Sequence, residues 1–207
     1  RLERFAACAF AHFLQYGLKV TERAEYEFRA MDMGNVMHMA LEKFAAEVRK
    51  EGLDWAELTE EERNRIIDSC LDQVSADYGN TILKSSARNE YMIERTRRIL
   101  RRTVWALQEQ LKHGAFRPEG FEVRFQGGRI DRVDIMEEPE NNRVYVKVID
   151  YKTGNTSFDL LALYHGLQLQ LMVYLDGALQ VEKRKYPDRE IVPAGVFYYN
   201  VKDPMIQ

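Results

Sequence analysis

Two acidic residues and a lysine lie in strand-like segments near the middle of the sequence. Asp131 falls in "GRIDRVD", and Asp150 and Lys152 fall in "VIDYKTG". Residues two apart share one face of a strand, so Asp150 and Lys152 point the same way. Two carboxylates brought together repel each other unless a cation neutralises them. A divalent ion such as Mg²⁺ or Mn²⁺ suits oxygen ligands, so the pattern predicts metal-assisted hydrolysis of a phosphodiester.

This pattern also has simpler explanations. A D-x-K triplet on its own is most often an ordinary ion pair on an edge strand, and Asp134 is an alternative to Asp131 as metal or DNA contact. Asp131 and Asp134 have opposite parity, so in a regular strand only one of them faces Asp150 unless a bulge intervenes. The placement of Asp131 in "GRID", after Gly127 and Gly128 where backbone can approach a ligand closely, favours Asp131.

The elements that would hold these residues follow from hydrophobic periodicity. The first 112 residues show the helical period in "FAACAFAHFLQYGL", "DMGNVMHMALEKFAAEVRKEG", "TEEERNRIIDSCLDQVSADYG" and "NEYMIERTRRILRRTVWALQEQLKHG". Thr59 followed by Glu62 predicts a capping box for the third helix. Helix ends are expected at Gly17, Gly52, Gly79 and Gly114.

After "RPEG" the period changes to two. The segments "FEVRF", "GRIDRVDIM" and "RVYVKVIDYK" are typical of antiparallel strands, with "EEPENN" as a turn. One helix, "LLALYHGLQLQLMVYLDGALQVE", and one further strand, "PAGVFYYNV", follow. The sequence therefore predicts an α/β fold, with a mixed central sheet flanked by helices and a helical N-terminal portion.

Composition limits the classes of function. The 207 residues include 30 Lys and Arg against 33 Asp and Glu, so contact with nucleic acid would depend on local basic patches. No apolar run approaches a membrane span, and the two cysteines, Cys8 and Cys70, have no CxxC spacing. We expect a cytoplasmic protein, and because the chain opens on Arg1 in mid-pattern, a fragment of a longer one.

"GRIDRVD", "VIDYKTG" and "LQLQLMVY", in this order, resemble the RecB-like branch of the PD-(D/E)xK nuclease superfamily, which has the restriction-endonuclease-like fold. The segment from "FAACAFAHF" to "MALEKF" is similar to the start of the nuclease domain in AddB subunits of bacterial AddAB helicase-nucleases. The likeness covers nearly the whole chain and is weakest between about residues 50 and 88. It implies one nuclease domain over 1–207, with a mainly helical part over 1–114 and a nuclease core over 115–207.

The resemblance assigns roles to individual residues. Asp131 and Asp150 would be metal ligands and, with Lys152, the catalytic residues. His38, in "GNVMHMALEKF", would complete the metal site, and the carbonyl of Tyr151 would be a further ligand. Taken by itself, His38 in these apolar surroundings is more often a helix histidine without a metal. An imidazole ligand makes Mn²⁺ a candidate beside Mg²⁺.

Two further features bear on DNA. Gln170 and Tyr174 match the Q-x-x-x-Y pair of the family, which is thought to position DNA beside the site. Without the resemblance, Gln170 would be a solvent-facing residue and Tyr174 a core residue. The run of arginines at 97, 98, 101 and 102 could follow a DNA backbone, or could form a solvated face of ion pairs with Glu90 and Glu94.

The cysteines have separate interpretations. Cys8 is either a small buried residue among Phe5, Phe10 and Phe13 or, by the resemblance, one ligand of a 4Fe-4S cluster. The family's three other cluster cysteines, which follow the nuclease core, are absent from this chain, so a cluster is expected only in the full-length protein. Cys70 is expected to be a packing residue.

The resemblance further implies a metal-dependent DNA exonuclease that works with an AddA-type helicase-nuclease subunit on double-strand DNA ends. No G-x-x-x-x-G-K-[ST] motif occurs, so ATP use would belong to the complex. Two alternatives remain open. One is an inactive DNA-binding scaffold of the same fold, and the other is a RecB-like nuclease of a phage or CRISPR system.

Overall fold

The computed structural model describes residues 2–20, 30–77, 87–154 and 156–201. The helix end expected at Gly79 lies outside these residues. The helices and strands, in chain order, are α1 Leu2–Ala7, α2 Ala9–His12, α3 Ala30–Lys50, α4 Glu60–Asp77, α5 Ala87–Lys112, β1 Arg117–Phe125, β2 Gly128–Glu138, β3 Arg143–Lys152, α6 Leu160–Tyr164, α7 Gln170–Lys185 and β4 Glu190–Asn200. In the part of the chain so described, no helix has the length and apolar character needed to cross a membrane.

The four strands form one mixed sheet in the order β1-β2-β3-β4. The first three are antiparallel neighbours, and β4 runs parallel to β3. A parallel pair needs a long crossover connection, and α6 and α7 supply it. The predicted α/β fold, with a helical N-terminal portion and helices flanking a mixed sheet, is confirmed.

Both faces of β3 are covered, and its residues from Val148 to Tyr151 are buried without interruption. Val144, Val146 and Val148 pack in one core with Ala178 of α7. Ile149 packs in a second core with α3, α4 and α5. The sheet therefore lies between α7 on one side and the three long helices on the other, and the end of β3 carries Asp150 and Lys152 between these layers.

The start of α4 and the end of α3 lie where the sequence predicts them. The predicted capping box at the start of α4 is confirmed, because Glu62 N donates to Thr59 Oγ1 at 3.2 Å and Thr59 N donates to Glu62 Oε2 at 2.9 Å. After α3, Gly52 has a φ of +67°, and the N–H of Leu53 donates to the carbonyl of Val48. This hydrogen bond and the left-handed glycine form a Schellman motif.

Two predicted helices are interrupted. The first is divided into α1, α2 and a π-helical turn over Phe13–Gly17, because Cys8 has an extended backbone (φ −163°, ψ 106°). The helix predicted from residue 160 is divided into α6 and α7 by Gly166, which has a φ of +74°. Apolar periodicity continues across both breaks, so periodicity did not reveal them.

Candidate active site

Three side chains with metal-binding atoms meet between α3 and the β1–β2 hairpin. They are His38, Glu122 and Asp131, and one ligand atom from each lies within 4.8 Å of the others. His38 Nδ1 is 3.4 Å from Asp131 Oδ2. One imidazole and two carboxylates form a donor set that divalent cations such as Mn²⁺ and Mg²⁺ accept.

Close contact between α3 and the end of β3 places His38 in this group. Gly34 lies one turn before His38, and a Cβ built at Gly34 would be 3.1 Å from Thr153 Oγ1. The absence of a side chain at Gly34 lets the helix approach the strand end. His38 can therefore reach the carboxylate of Asp131, and its ring centroid is 6.1 Å from that of Tyr151.

An irregularity in β2 determines the position of Asp131. Ile130 and Val133 belong to the same core although their numbers differ in parity. The pairing between β2 and β3 is regular from Arg132 onwards, opposite Ile149. Asp131 lies just outside that pairing, and its Oδ2 accepts a hydrogen bond from the backbone N–H of Tyr151 at 2.7 Å. This contact connects the predicted site segments of β2 and β3.

Glu122 is a site residue that the sequence reasoning did not identify. It has a φ of +51°, which is uncommon for a residue with a side chain, and its side chain is only 8% exposed. Phe125 pairs with Gly128, so counting back along the hairpin places Glu122 opposite Asp131. That register, and an acidic residue between Phe121 and Val123, were the available sequence signals.

Glu122 has an unusual electrostatic environment. Burial raises the pKa of its carboxyl to about 7, although the charge of Arg129 opposes this change and that of Asp131 adds to it. Arg129 forms an ion pair with Glu122. Without a cation, the group of carboxylates therefore carries an electrostatic cost, which a bound divalent ion would reduce.

The predicted residues Asp150, Lys152, Gln170 and Tyr174 form a second network beside this group. Gln170 Nε2 donates to Asp150 Oδ1 at 3.2 Å and to the Tyr174 hydroxyl at 2.9 Å. Lys152 Nζ donates to Gln170 Oε1 at 2.9 Å and lies 2.7 Å from Asp150 Oδ2. The side chain of Asp150 therefore points toward Lys152 and Gln170, and it is not among the three clustered ligand groups.

The two groups influence each other electrostatically. Burial raises the pKa of Asp150, the charge of Asp131 raises it further, and Lys152 and His38 lower it. Burial alone would lower the pKa of His38, but its hydrogen bond with Asp131 and the charge of Asp131 raise the pKa overall. The charges that act on one another across the two groups are those of His38, Glu122, Asp131, Asp150 and Lys152.

The helix α7 is positioned by its contact with β1. A Cβ at Gly177 would lie 2.4 Å from the Phe125 ring, so only glycine lets α7 approach the sheet this closely. The Phe125 ring also packs edge-on against Tyr174, with centroids 5.9 Å apart. Its ring occupies the space beside Gly127, where the sequence suggested close approach by a ligand.

Asp134 lies away from these groups. It is fully buried on the side of the sheet that α3, α4 and α5 cover, where Arg132 Nε donates to it at 2.5 Å and Lys147 Nζ is 3.0 Å away. The Arg132 guanidinium also lies over the stacked rings of Trp55 and Phe121. Asp134 thus neutralises Arg132 and Lys147, and among the described residues it does not belong to the cluster of His38, Glu122 and Asp131.

The two cysteines lie in different environments, and of the two predicted packing positions only that of Cys70 is confirmed. Cys70 is buried in the helical core, and burial raises its pKa to about 11. Cys8 is exposed, and its Sγ accepts a hydrogen bond from Ala11 N at 3.5 Å at the start of α2. The interpretation of Cys8 as a buried residue is therefore wrong, since Phe5 and Phe10 are exposed as well. Its role as a cluster ligand stays a prediction.

Comparison with known proteins identifies relatives of this chain. The chain is 48% identical to a protein of Lachnoclostridium phytofermentans and 39% identical to one of Alkaliphilus metalliredigens, and each is named as the B subunit of an ATP-dependent helicase/deoxyribonuclease. A protein of the same name from Clostridium perfringens is 37% identical. Each comparison covers all of this chain but only 18% to 20% of the relative.

The family comparison gives the same result as the relatives. The model of the PD-(D/E)XK nuclease superfamily matches residues 1–207. The strand, hairpin and helix that carry Asp131, Asp150 and Gln170 all fall within this match. The resemblance noted in the sequence is confirmed, and the chain belongs to the PD-(D/E)XK nuclease superfamily.

Proposed function

We propose that this chain is a divalent-metal-dependent deoxyribonuclease that hydrolyses phosphodiester bonds in DNA. The observation that carries the proposal is the cluster of His38, Glu122 and Asp131 directly beside the ion pair of Asp150 and Lys152. A cation site next to a lysine suits a reaction in which negative charge develops at phosphorus.

The proposed metal ligands are His38, Asp131, Asp150 and the carbonyl of Tyr151, with Glu122 as an additional carboxylate. The raised pKa values of Glu122 and Asp150 support this donor set, because both carboxyls are buried near other acids. A bound Mg²⁺ or Mn²⁺ would supply an activated water and stabilise the charge that develops on the phosphate.

Lys152 and Gln170 have the proposed task of orienting the reacting groups. The Lys152 ammonium lies between the Asp150 carboxylate and the Gln170 amide, so it is fixed in position before substrate binds. From there it would orient the water or stabilise the phosphate oxygens. Gln170 holds Lys152 and Asp150 together, and Tyr174, which accepts from the same amide, extends this network toward bound DNA.

The wider setting is also a proposal, since the chain spans about a fifth of the relatives it matches. We propose one nuclease domain of a longer AddB-type subunit, located in the bacterial cytoplasm and acting as an exonuclease on a strand unwound from a duplex end. Its partner would be an AddA-type helicase-nuclease subunit. In the full-length protein, the exposed Cys8 would be one ligand of a 4Fe-4S cluster. The names of the relatives favour this assignment over a phage or CRISPR nuclease.

The test is degradation of end-labelled single-stranded DNA by the chain with Mg²⁺ or Mn²⁺, and with a chelator as a blank. The variant Asp150→Ala should lose cleavage. The control Asp176→Ala removes an exposed carboxylate of α7 that accepts a hydrogen bond from Gln180, and it should cut like wild type. Release of single nucleotides from one end would support an exonuclease, and internal cuts would contradict it. Cleavage that survives in Asp150→Ala would refute the proposed site, whereas DNA binding without any cleavage would favour the inactive scaffold.

A further inference from the structure

A groove with a basic lining lies between the start of α4 and the outer side of α5. Its volume is about 750 Å³. Arg98, Arg102 and Trp105 line it from α5. Their spacing of four and three residues places them on one stripe of the helix, opposite the buried stripe that includes Leu100 and Leu107. No residue that lines the α4–α5 groove belongs to the candidate active site.

Cations outnumber acids in the α4–α5 groove. Glu60 and Glu109 line it, and Lys112 is 3.0 Å from Glu109. Arg101 forms an ion pair with Asp68. Five basic residues line the groove, namely Arg63, Arg98, Arg101, Arg102 and Lys112. The groove keeps a positive surplus after these two pairs are set aside.

The cations that remain are three arginines, with Glu60 as the one remaining acid among the lining residues. Arg98 and Arg102 are exposed and, within the described ranges, neither has a carboxylate within ion-pair distance. Arg97, in contrast, lies 2.7 Å from Asp72 and 3.2 Å from Glu94. The arginine run is thus divided into one neutralised side and one side that is available to an anion.

The third arginine, Arg63, has an unusual environment. It is only 8% exposed, and its NH1 donates to Gln108 Oε1 at 2.6 Å. Its Nε has no hydrogen-bond partner, and among the residues described no acid forms an ion pair with it. A buried guanidinium without a counter-ion is costly, and a phosphate is an anion that its fork of donors fits.

An aromatic ring lies beside these cations. Trp105 is 47% exposed, three residues after Arg102. The other tryptophan, Trp55, instead stacks on Phe121 with ring centroids 5.5 Å apart. An exposed indole next to unpaired arginines is the combination by which proteins hold single-stranded nucleic acids, with a base on the ring and phosphates on the cations.

We infer that the α4–α5 groove binds a single-stranded nucleic acid, with Arg63, Arg98 and Arg102 on its phosphates and Trp105 stacked on a base. The choice of a nucleic acid over another polyanion rests on the proposed nuclease function. The groove would hold a stretch of strand outside the active site, so it would increase affinity for long strands without contributing to bond cleavage.

The experiment measures binding of a fluorescently labelled 20-nucleotide oligothymidylate to the chain by anisotropy, in a chelator that prevents cleavage. The double variant R98Q/R102Q should bind about tenfold more weakly, and the slope of log affinity against log salt should fall by about 0.7 for each phosphate that the variant no longer neutralises. The matched control Arg184→Gln changes an exposed arginine at the end of α7 that, in the described part of the chain, also has no ion pair. It should bind like wild type.

Trp105 supplies a second measurement. The chain has two tryptophans, and Trp55 is covered by Phe44 and Phe121. Oligothymidylate should therefore quench mainly the Trp105 fluorescence, and Trp105→Phe should abolish the quenching while retaining most of the affinity. Trp105→Ala should lose the affinity that stacking supplies. Unchanged thermal melting of each variant would show that the fold is intact.

The outcomes separate this inference from the proposed function. Hydrolysis of thymidine 5′-(p-nitrophenyl phosphate), which is too short to span both sites, reports on the active site alone and should be the same in R98Q/R102Q as in wild type. Failure of wild type to hydrolyse it would count against the active site and leave the binding result valid. Binding of oligothymidylate by R98Q/R102Q with wild-type affinity would overturn the groove assignment. Equal binding of polyglutamate would overturn the choice of nucleic acid.

Discussion

The ammonium group of Lys152 donates a hydrogen bond to Oε1 of Gln170 across the boundary between β3 and α7. The amide nitrogen of Gln170 meanwhile donates to Asp150 and Tyr174. One neutral side chain thus fixes the ammonium of Lys152, the carboxylate of Asp150 and the hydroxyl of Tyr174 relative to each other. The start of α7 is in turn held by Glu3, whose Oε1 accepts from Gln170 N at 2.8 Å.

Replacing Gln170 by Ala should lower the rate of DNA cleavage by about tenfold or more, because Lys152 and Asp150 lose their common partner. The melting temperature should change little, since the residue is only partly buried. Gln180→Ala is the matched control, because Gln180 lies on the same helix and its side chain donates a hydrogen bond to Asp176, away from the candidate site. Equal rates for the two variants would contradict a positioning role for Gln170.

Asp131 and Asp134 should behave in opposite ways when each is replaced by Ala. Asp131→Ala should abolish cleavage and weaken Mn²⁺ binding in calorimetry with little loss of stability. Asp134→Ala should cost about 3 to 5 kcal/mol in the free energy of unfolding, because it leaves the buried Arg132 without its carboxylate. Denaturant unfolding measures the second effect. Unaltered metal affinity in Asp131→Ala would refute its role as a ligand.

Glu122 should make the metal-free chain less stable as pH rises. The ordinary pKa of a glutamate carboxyl is 4.5, and burial raises the pKa of Glu122 to about 7, so the folded state binds the proton more tightly. The free energy of unfolding should therefore fall between about pH 4.5 and 7, by roughly 3 kcal/mol from this group. Because His38 and Asp150 also have raised pKa values, the quantity to measure is the difference between wild type and Glu122→Gln.

Glu122→Gln should be the more stable protein at pH 7.5 in a chelator, and the difference should disappear near pH 4.5. Denaturant unfolding at several pH values measures it. Glu140→Gln, in the exposed turn between β2 and β3, is the control and should follow wild type throughout. A Glu122→Gln curve parallel to wild type would show that Glu122 does not titrate in this range.

The two thiols should react at very different rates with a disulfide reagent at pH 8. Cys8 is exposed, whereas Cys70 is buried and burial raises its pKa to about 11, so little of its thiolate forms. One thiol per folded chain should react at once, and the second only after unfolding. The variant Cys8→Ser should remove the fast phase. Two fast thiols in the folded chain would contradict the packing of Cys70.

The order of helices and strands, the cap of α4 and the hairpin with its charged end could be predicted from the sequence. Each depends on local periodicity or on a short capping pattern. Sequence reasoning likewise favoured Asp131 over Asp134, from its placement in "GRID". The structure places Asp131 beside His38 and Glu122 and pairs Asp134 with Arg132, and the role of Asp131 as a metal ligand stays a prediction. The breaks at Cys8 and Gly166 could not be predicted, because they depend on a backbone conformation that apolar periodicity does not report.

Only the tertiary structure decided which of these residues meet. The sequence determined that acids, a lysine and a histidine are present on elements of known type, because residue identity and spacing fix the faces of strands and helices. It did not place Glu122 beside His38, since that contact needs a left-handed residue in β1 and the close approach of α3 at Gly34. Contacts between elements far apart in the chain depend on how their surfaces pack, and local sequence patterns do not specify that packing.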